Sequence, residues 1–387
     1  MLFRGWGEAV DARWPDVSTV VDHVGVRHLV VTRHALVKRL LTDPVTFRPD
    51  NALDAVTPMP VAALRVLARH RFRLPPTLAN NAGPTHPELR GIVADALHPT
   101  RVAAQQPWLT TLVRQRVTRL AAALDAGEPV DLYADLAADL PLLVLARLVE
   151  LPAAPVGVVK DFARAALELF WAPLDESRQL TLAAEVGRFH TVLRDFAATG
   201  GGLAARLRAA GHSPDVVVGA LFFLLVAGQE TTSQFLTLLL HRLAGELEVR
   251  AGLRAGRVAV ADVVEEGLRL EPPIVTWRRV AAVDTTLGGT AVPAGTSIVA
   301  WLARAGRDPE VVTDPTGFRP GQPGSRRHLA FGAGAHRCVG AHLARMEAAV
   351  VVAEAASLLD GVTVVRPPWC PDNLTFRMPD TFVVRRG

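Results

Sequence analysis

From residue 86 to about residue 250, apolar residues recur at three- and four-residue spacing, in ELRGIVADAL, VRQRVTRLAAAL, LPLLVLARLVEL, VKDFARAALELF and AAEVGRFHTVLRDFA. This period predicts helix almost throughout. Ahead of it, STVVDHVGVRHLVVTRHAL alternates β-branched and turn residues as a small strand pair does, and ALVKRLLTDP then turns helical. Residues 51–85 carry Pro58, Pro60, Pro75, Pro76 and Pro84 around one helical stretch, ALRVLARHRF, and read as a long loop of the kind that carries function in compact enzymes. After residue 272 the signal changes to short strands punctuated by Gly and Pro (TTLGGTAVPAGTSIVAWL), one more helix from about 340 to 359, and strand-like ends, VTVVRP and TFVVRR. The class is therefore mainly α with small β-sheets (α+β). With no repeat, low-complexity tract or Ser/Gly linker, residues 1–387 read as a single domain.

The helix after Ser213 has the best specified start: Ser213 suits an N-cap, Pro214 the first helical position, and Asp215 the positive end of the dipole. Running to about residue 245, it would be roughly 48 Å long. Its centre is apolar on every face, which predicts burial through the middle of the protein. Yet that centre holds Ala227-Gly228-Gln229-Glu230-Thr231-Thr232, where Gly weakens a helix and Thr hydroxyls bond back to carbonyls and bend it. A polar helix contact and a proton relay both account for this.

Composition narrows the class. Half of the 387 residues are hydrophobic, enough for a large core, and 42 Lys and Arg stand against 38 Asp and Glu with no basic block, so no nucleic-acid footprint is indicated. Lys38 and Lys160 are the only lysines. Two cysteines, Cys338 and Cys370, provide neither a disulfide framework nor paired zinc spacing, which fits a reducing cytoplasm. MLFRGWGEAV has neither a charged nor an apolar leader region, and VVVGALFFLLVAG is too short to span a bilayer. A cytoplasmic protein without a membrane anchor is expected.

HLAFGAGAHRCVGAHLARMEAA (328–349) places Cys338 immediately before a helix, in a loop with Gly332, Gly334 and Gly340 that permits tight turns and close approach of a flat ligand. A thiolate at a helix N-terminus gains from the dipole and the free N–H groups, which lower its pKa. A lone cysteine is more commonly a buried structural one. The spacing Phe331-Gly332-x-Gly334-x-His336-x-Cys338-x-Gly340 decides otherwise, because it resembles, position for position, the haem-binding loop of the cytochrome P-450 family.

Three further segments resemble that family in the same order. Glu266-Gly267-Leu268-Arg269 is similar to its ExxR helix, Ala227-Gly228-Gln229-Glu230-Thr231-Thr232 to the A-G-x-D/E-T-T stretch of its long central helix, and His86-Pro87-Glu88-Leu89-Arg90 to its H-x-x-x-R helix start. Arg279 resembles the arginine that follows ExxR. The sequence departs from the pattern in NAGPT before His86 and in Gly267 inside a helix.

The resemblance implies the cytochrome P-450 fold, with haem b between the long central helix and the helix of the Cys loop. It further implies a monooxygenase with dioxygen as co-substrate. Cys338 would hold the iron and donate electron density. Phe331, Gly332, Gly340 and Ala227 would pack at the cofactor, and His86, Arg90, Arg279 and His336 would cradle its two carboxylates. Glu230 and Thr231 would deliver protons as dioxygen is reduced, and Glu266 with Arg269 would form a structural ion pair. No GxGxxG follows a predicted strand, so electrons are expected from a ferredoxin and its reductase, docked against Arg90, Arg101, Arg337 and Arg345. By family topology the pocket takes residues 55–83, 165–190, Phe223 to Thr231, Ile274 to Thr276 and Leu374 to Phe376. That lining suits an apolar or amphipathic small molecule of secondary metabolism, free or presented on a carrier protein. A peroxygenase, an oxidative-coupling enzyme, a non-catalytic haem-binding partner and a helical interaction protein without haem remain as rivals.

Overall fold

The computed structural model describes residue 10, residues 12–152 and residues 154–387. The leader reading of MLFRGWGEAV falls outside the described residues except at Val10. The helices are α1 (His34–Thr42), α2 (Val61–Arg69), α3 (His86–Ala96), α4 (Pro99–Ala103), α5 (Gln106–Asp125), α6 (Leu140–Leu148), α7 (Val156–Trp171) and α8 (Glu176–Thr199). There follow α9 (Gly202–Ala209), α10 (Pro214–Ala227), α11 (Glu230–Gly245), α12 (Leu247–Arg254), α13 (Val260–Leu270), α14 (Leu302–Ala305) and α15 (Ala341–Ala355). The strands are β1 (Val17–Val21), β2 (Arg27–Val31), β3 (Phe47–Arg48), β4 (Val130–Asp131), β5 (Thr276–Ala281), β6 (Thr285–Leu287), β7 (Thr290–Val292), β8 (Ser297–Trp301), β9 (Val362–Arg366) and β10 (Val383–Arg386).

Strands form a five-stranded sheet in the order β1-β2-β8-β5-β3, a three-stranded sheet β4-β10-β9 and the β6-β7 hairpin. The strand pair expected near residues 18–36 is β1 and β2, antiparallel with Val17 opposite Val31. Two-residue strands β3 and β4 are too short to show a period in the sequence.

The long helix starts as expected, with Ser213 Oγ accepting the Val216 N–H. It does not continue unbroken to residue 245. Thr231 Oγ1 donates to the Ala227 carbonyl at 2.7 Å, occupying the acceptor that its own N–H would use, and Gln229 leaves helical geometry at φ −126°. Taken together, Pro214–Gly245 is long and apolar enough to cross a membrane; here most of it is buried inside the protein. Gly267 has a packing reason. A Cβ there would lie 2.6 Å from the Leu239 Cδ1 and 3.4 Å from the Phe235 ring, so α13 packs closely on α11 at this glycine and a side chain would require Leu239 to shift.

Glu266 and Arg269 form the expected pair, at 2.7 and 2.9 Å, with both side chains fully buried. They are also a hub. Arg269 donates to the carbonyls of Gly306, Asp314, Pro315 and Gly317, and Glu266 accepts from the Arg319 N–H and Gln322 Nε2, which ties the irregular 306–322 segment to α13.

Glu347 in α15 is buried and neither carboxyl oxygen finds a hydrogen-bond partner among the described residues, so burial pushes its pKa well above the usual value. A raised folded-state pKa means the folded chain keeps a proton that the unfolded chain releases. Its stabilising contribution is therefore present at acid pH and lost as pH rises through that window. Glu347→Gln removes this titration. The urea midpoint of the wild-type protein should fall more than that of the variant between about pH 5 and about pH 8.

Candidate active site

Two elements face each other across one cavity. One wall is the loop Ala330–Gly340 with Leu343 and Ala344 of α15; the other is the broken centre of the long helix, from Phe223 to Phe235. The space between them is about 1330 Å³, part of it open to solvent, and its sides are mostly apolar: Leu78, Ala79, Leu145, Ile274 and Trp277.

Cys338 lies on the loop wall. Its accessible surface faces the cavity while protein atoms crowd it on every other side, so it is exposed and yet poorly solvated. Burial pushes its thiol up, opposed by the Gly340 N–H and by the charges of Arg90, Arg337 and Arg345. The helix terminus alone was expected to lower this pKa; desolvation outweighs it in the protein by itself. A coordinated metal deprotonates a thiol outright. The loop is pinned by Cys338 N–H donating to the Phe331 carbonyl at 2.8 Å. Gly334 adopts φ +70°, and a Cβ there would stand 2.6 Å from the Leu41 carbonyl oxygen.

Cations gather at one edge. His86 and His336 lie ring to ring at 4.3 Å; His86 Nε2 pairs with the Leu78 carbonyl and His336 Nε2 with the Asn81 carbonyl. The NAGPT departure thus supplies, through Asn81, the acceptor that orients His336. His336 Nδ1 is buried with no partner in the chain, and neither Arg90 nor Arg279 forms an ion pair among the described residues. Burial, with repulsion from His86, Arg279 and Arg90, holds His336 at about 4, and burial holds Arg279 at about 10. Groups pushed towards their neutral forms are what an anion would recharge, so the cradle suits carboxylates. A sulfur on one wall, an apolar slot and this cationic edge together fit haem.

Glu230 and Thr231 are neighbours that point apart. Thr231 lines the cavity, whereas Glu230 is fully buried and turned towards α7, paired with Lys160 Nζ and 3.8 Å from Arg164. Lys160 also donates to Gln229 Oε1 at 2.9 Å and to Ser233 Oγ at 3.3 Å. Burial lowers Lys160 and Glu230 opposes the shift. Sequence reasoning did not find this pair. The available signal was one of only two lysines falling on the buried face of the amphipathic α7.

The lining expected from the sequence is corrected in part. Leu78, Ala79, Phe223, Leu224, Ala227, Gly228, Thr231 and Ile274 contribute as expected, but Glu230, Val275, Thr276 and all of 165–190 and 374–376 are absent from the lining. Aromatic rings of α7, α8 and α10 pack on one another instead, Phe162 on Phe189 at 4.3 Å and Phe162 on Phe222 at 5.1 Å, and Phe72 of the segment after α2 packs on His190 at 4.8 Å. Leu374 and Thr375 use their carbonyls to brace Thr276 and Val275. Of the arginines expected on a docking face, Arg90 and Arg337 line the cavity, Arg345 pairs with Glu265, and Arg101 is exposed and donates to the Leu148 carbonyl.

Residues 207–355 match the family model described as Cytochrome P450. The Mycobacterium bovis protein named cytochrome P450 123 is 30% identical over 277 residues, which cover 70% of this chain and 68% of that protein. Erythromycin C-12 hydroxylase of Saccharopolyspora erythraea is 29% identical over 368 residues, covering 89% of this chain and 85% of the relative. A solved structure of cytochrome P450 CREJ, in complex with (4-ethylphenyl) dihydrogen phosphate, superposes with a TM-score of 0.89 at 26% identity, covering 100% of this chain and 97% of that one. The facing walls, the cationic edge and these likenesses agree, and the chain belongs to the cytochrome P450 family of monooxygenases that bind haem b and use dioxygen.

Proposed function

We propose that this chain hydroxylates an apolar or amphipathic small molecule of secondary metabolism, with Cys338 as the iron ligand. The observation that carries this is that Cys338 and Thr231 both line one mostly apolar cavity. Haem bound there supplies the oxidising chemistry, and a thiolate ligand favours O–O cleavage. Arg279, Arg90, His86 and His336 hold the carboxylate edge. Leu78, Leu145, Phe223, Ile274 and Trp277 offer no charge to the substrate and exclude water. Erythromycin C-12 hydroxylase is named for oxidising such a metabolite. Electrons come from a ferredoxin and its reductase in the cytoplasm, and a carrier protein is one way to present the substrate.

Proton delivery falls to two residues. Thr231 holds its hydroxyl at the cavity wall, while Glu230 is held by Lys160 and has to exchange that partner to pass a proton inward. Glu230→Gln removes the acid while keeping its shape. Turnover with a ferredoxin system should fall by about 10²-fold, the scale of a lost general acid, with substrate binding unchanged in a spectral titration. Equal turnover would remove Glu230 from the relay.

The reaction class is tested by supplying ¹⁸O-labelled dioxygen, reduced ferredoxin and a panel of macrocyclic and terpenoid substrates. One labelled oxygen in the product supports the proposal. Product formed only with added peroxide would reassign the chain as a peroxygenase, and coupled dimers without label would reassign it as an oxidative-coupling enzyme.

A further inference from the structure

A buried charged cluster stands directly behind the thiolate loop. Glu265, in α13 and 4% exposed, accepts Arg345 Nε at 2.5 Å, Arg345 Nη2 at 3.1 Å and His328 Nε2 at 3.1 Å. The Ala330 N–H donates to His328 Nδ1 at 3.2 Å, so the ring proton sits on Nε2 and the neutral ring donates to Glu265. Arg345, in α15, lays its guanidinium over the Phe331 ring, 4.5 Å from the centroid. Phe331 is the residue whose carbonyl accepts the Cys338 N–H. One carboxylate therefore orients an arginine, the arginine fixes an aromatic ring, and the residue bearing that ring fixes the backbone of the cysteine. Burial alone would raise Glu265, but the hydrogen bonds from His328 and Arg345 and the charge of Arg345 outweigh it and lower its pKa. Glu265 thus remains ionised at neutral pH.

We propose that Glu265, with His328 and Arg345, is a positioning clamp for the thiolate loop, holding the guanidinium against Phe331 and so fixing the residue whose carbonyl anchors the Cys338 N–H. This rests on Cys338 as the haem ligand. The clamp acts through orientation: a bidentate fork and a stacked plane are what arginine provides and lysine does not.

The test uses the holoprotein and two readouts, the first of which a merely structural role would not move. These are the Fe–S stretching band in the resonance Raman spectrum and the lifetime of the red-shifted carbon monoxide band in mild denaturant. Glu265→Gln and Arg345→Lys should each shift the Fe–S band and shorten that lifetime several-fold. The double variant should be no worse than the more affected single one, because both act through one unit. Arg345 is partly solvent-exposed, so Arg345→Lys keeps the test valid if Glu265→Gln fails to fold. An unchanged Fe–S band and lifetime in Arg345→Lys, or additive effects in the double variant, would overturn the clamp. A wild-type protein with no red-shifted band at all would remove the ligand assignment, and the clamp with it.

Discussion

Cys338→Ala, expressed with haem supplied, gives no strongly red-shifted Soret band after dithionite and carbon monoxide, where the unsubstituted chain gives one. That band needs a thiolate on the iron, and Cys338 is the cysteine that lines the cavity. Cys370 is partly buried and its electrostatic neighbours are Arg377, Glu271 and Asp380, so Cys370→Ala is the control and should leave the band intact. Among the described residues no cluster of three or more His, Cys, Asp and Glu side chains offers another metal site. The cationic edge survives the substitution. A variant that retains haem without the shifted band would show that His86, Arg90, Arg279 and His336 still hold the carboxylates. A shifted band in Cys338→Ala would refute the ligand assignment.

The second large effect is on stability. Glu266→Gln or Arg269→Leu leaves one member of a fully buried ion pair without its partner, a loss on the order of 3–5 kcal/mol. For this pair the higher end is expected. Arg269 also holds four backbone carbonyls of the 306–317 segment, and Glu266 holds the Arg319 N–H and Gln322. Arg269→Lys rescues little, because an ammonium lacks the planar fork that reaches the carboxylate and the carbonyls together. Denaturant midpoints measure the loss directly, and a midpoint within error of wild type in Glu266→Gln would contradict the hub.

Much of this is legible in the sequence alone, for identifiable reasons. The helical period from residue 86 onward survives because each helix buries one stripe against the core. The Phe331 to Gly340 spacing survives because turn glycines and a ligand sulfur tolerate few alternatives at these positions. Gly267 read as a local oddity, and its reason is a neighbour far away in sequence, Leu239. Glu265, adjacent to a matched motif, carries no signal of its own in the sequence; its partners His328 and Arg345 come from 63 and 80 residues further along.

The sequence by itself determined the class of chemistry through a cysteine in a glycine-bearing loop before a helix and an acid and hydroxyls interrupting an apolar helix. These are local patterns, and local sterics and hydrogen bonding decide them. Tertiary structure alone decided which way each group faces. It turned Glu230 to Lys160 and away from the cavity, packed the α7 and α8 aromatics on one another instead of around a substrate, and drew Arg345 to Glu265. Such outcomes depend on desolvation and on partners distant along the chain, and neither quantity exists until the core has closed.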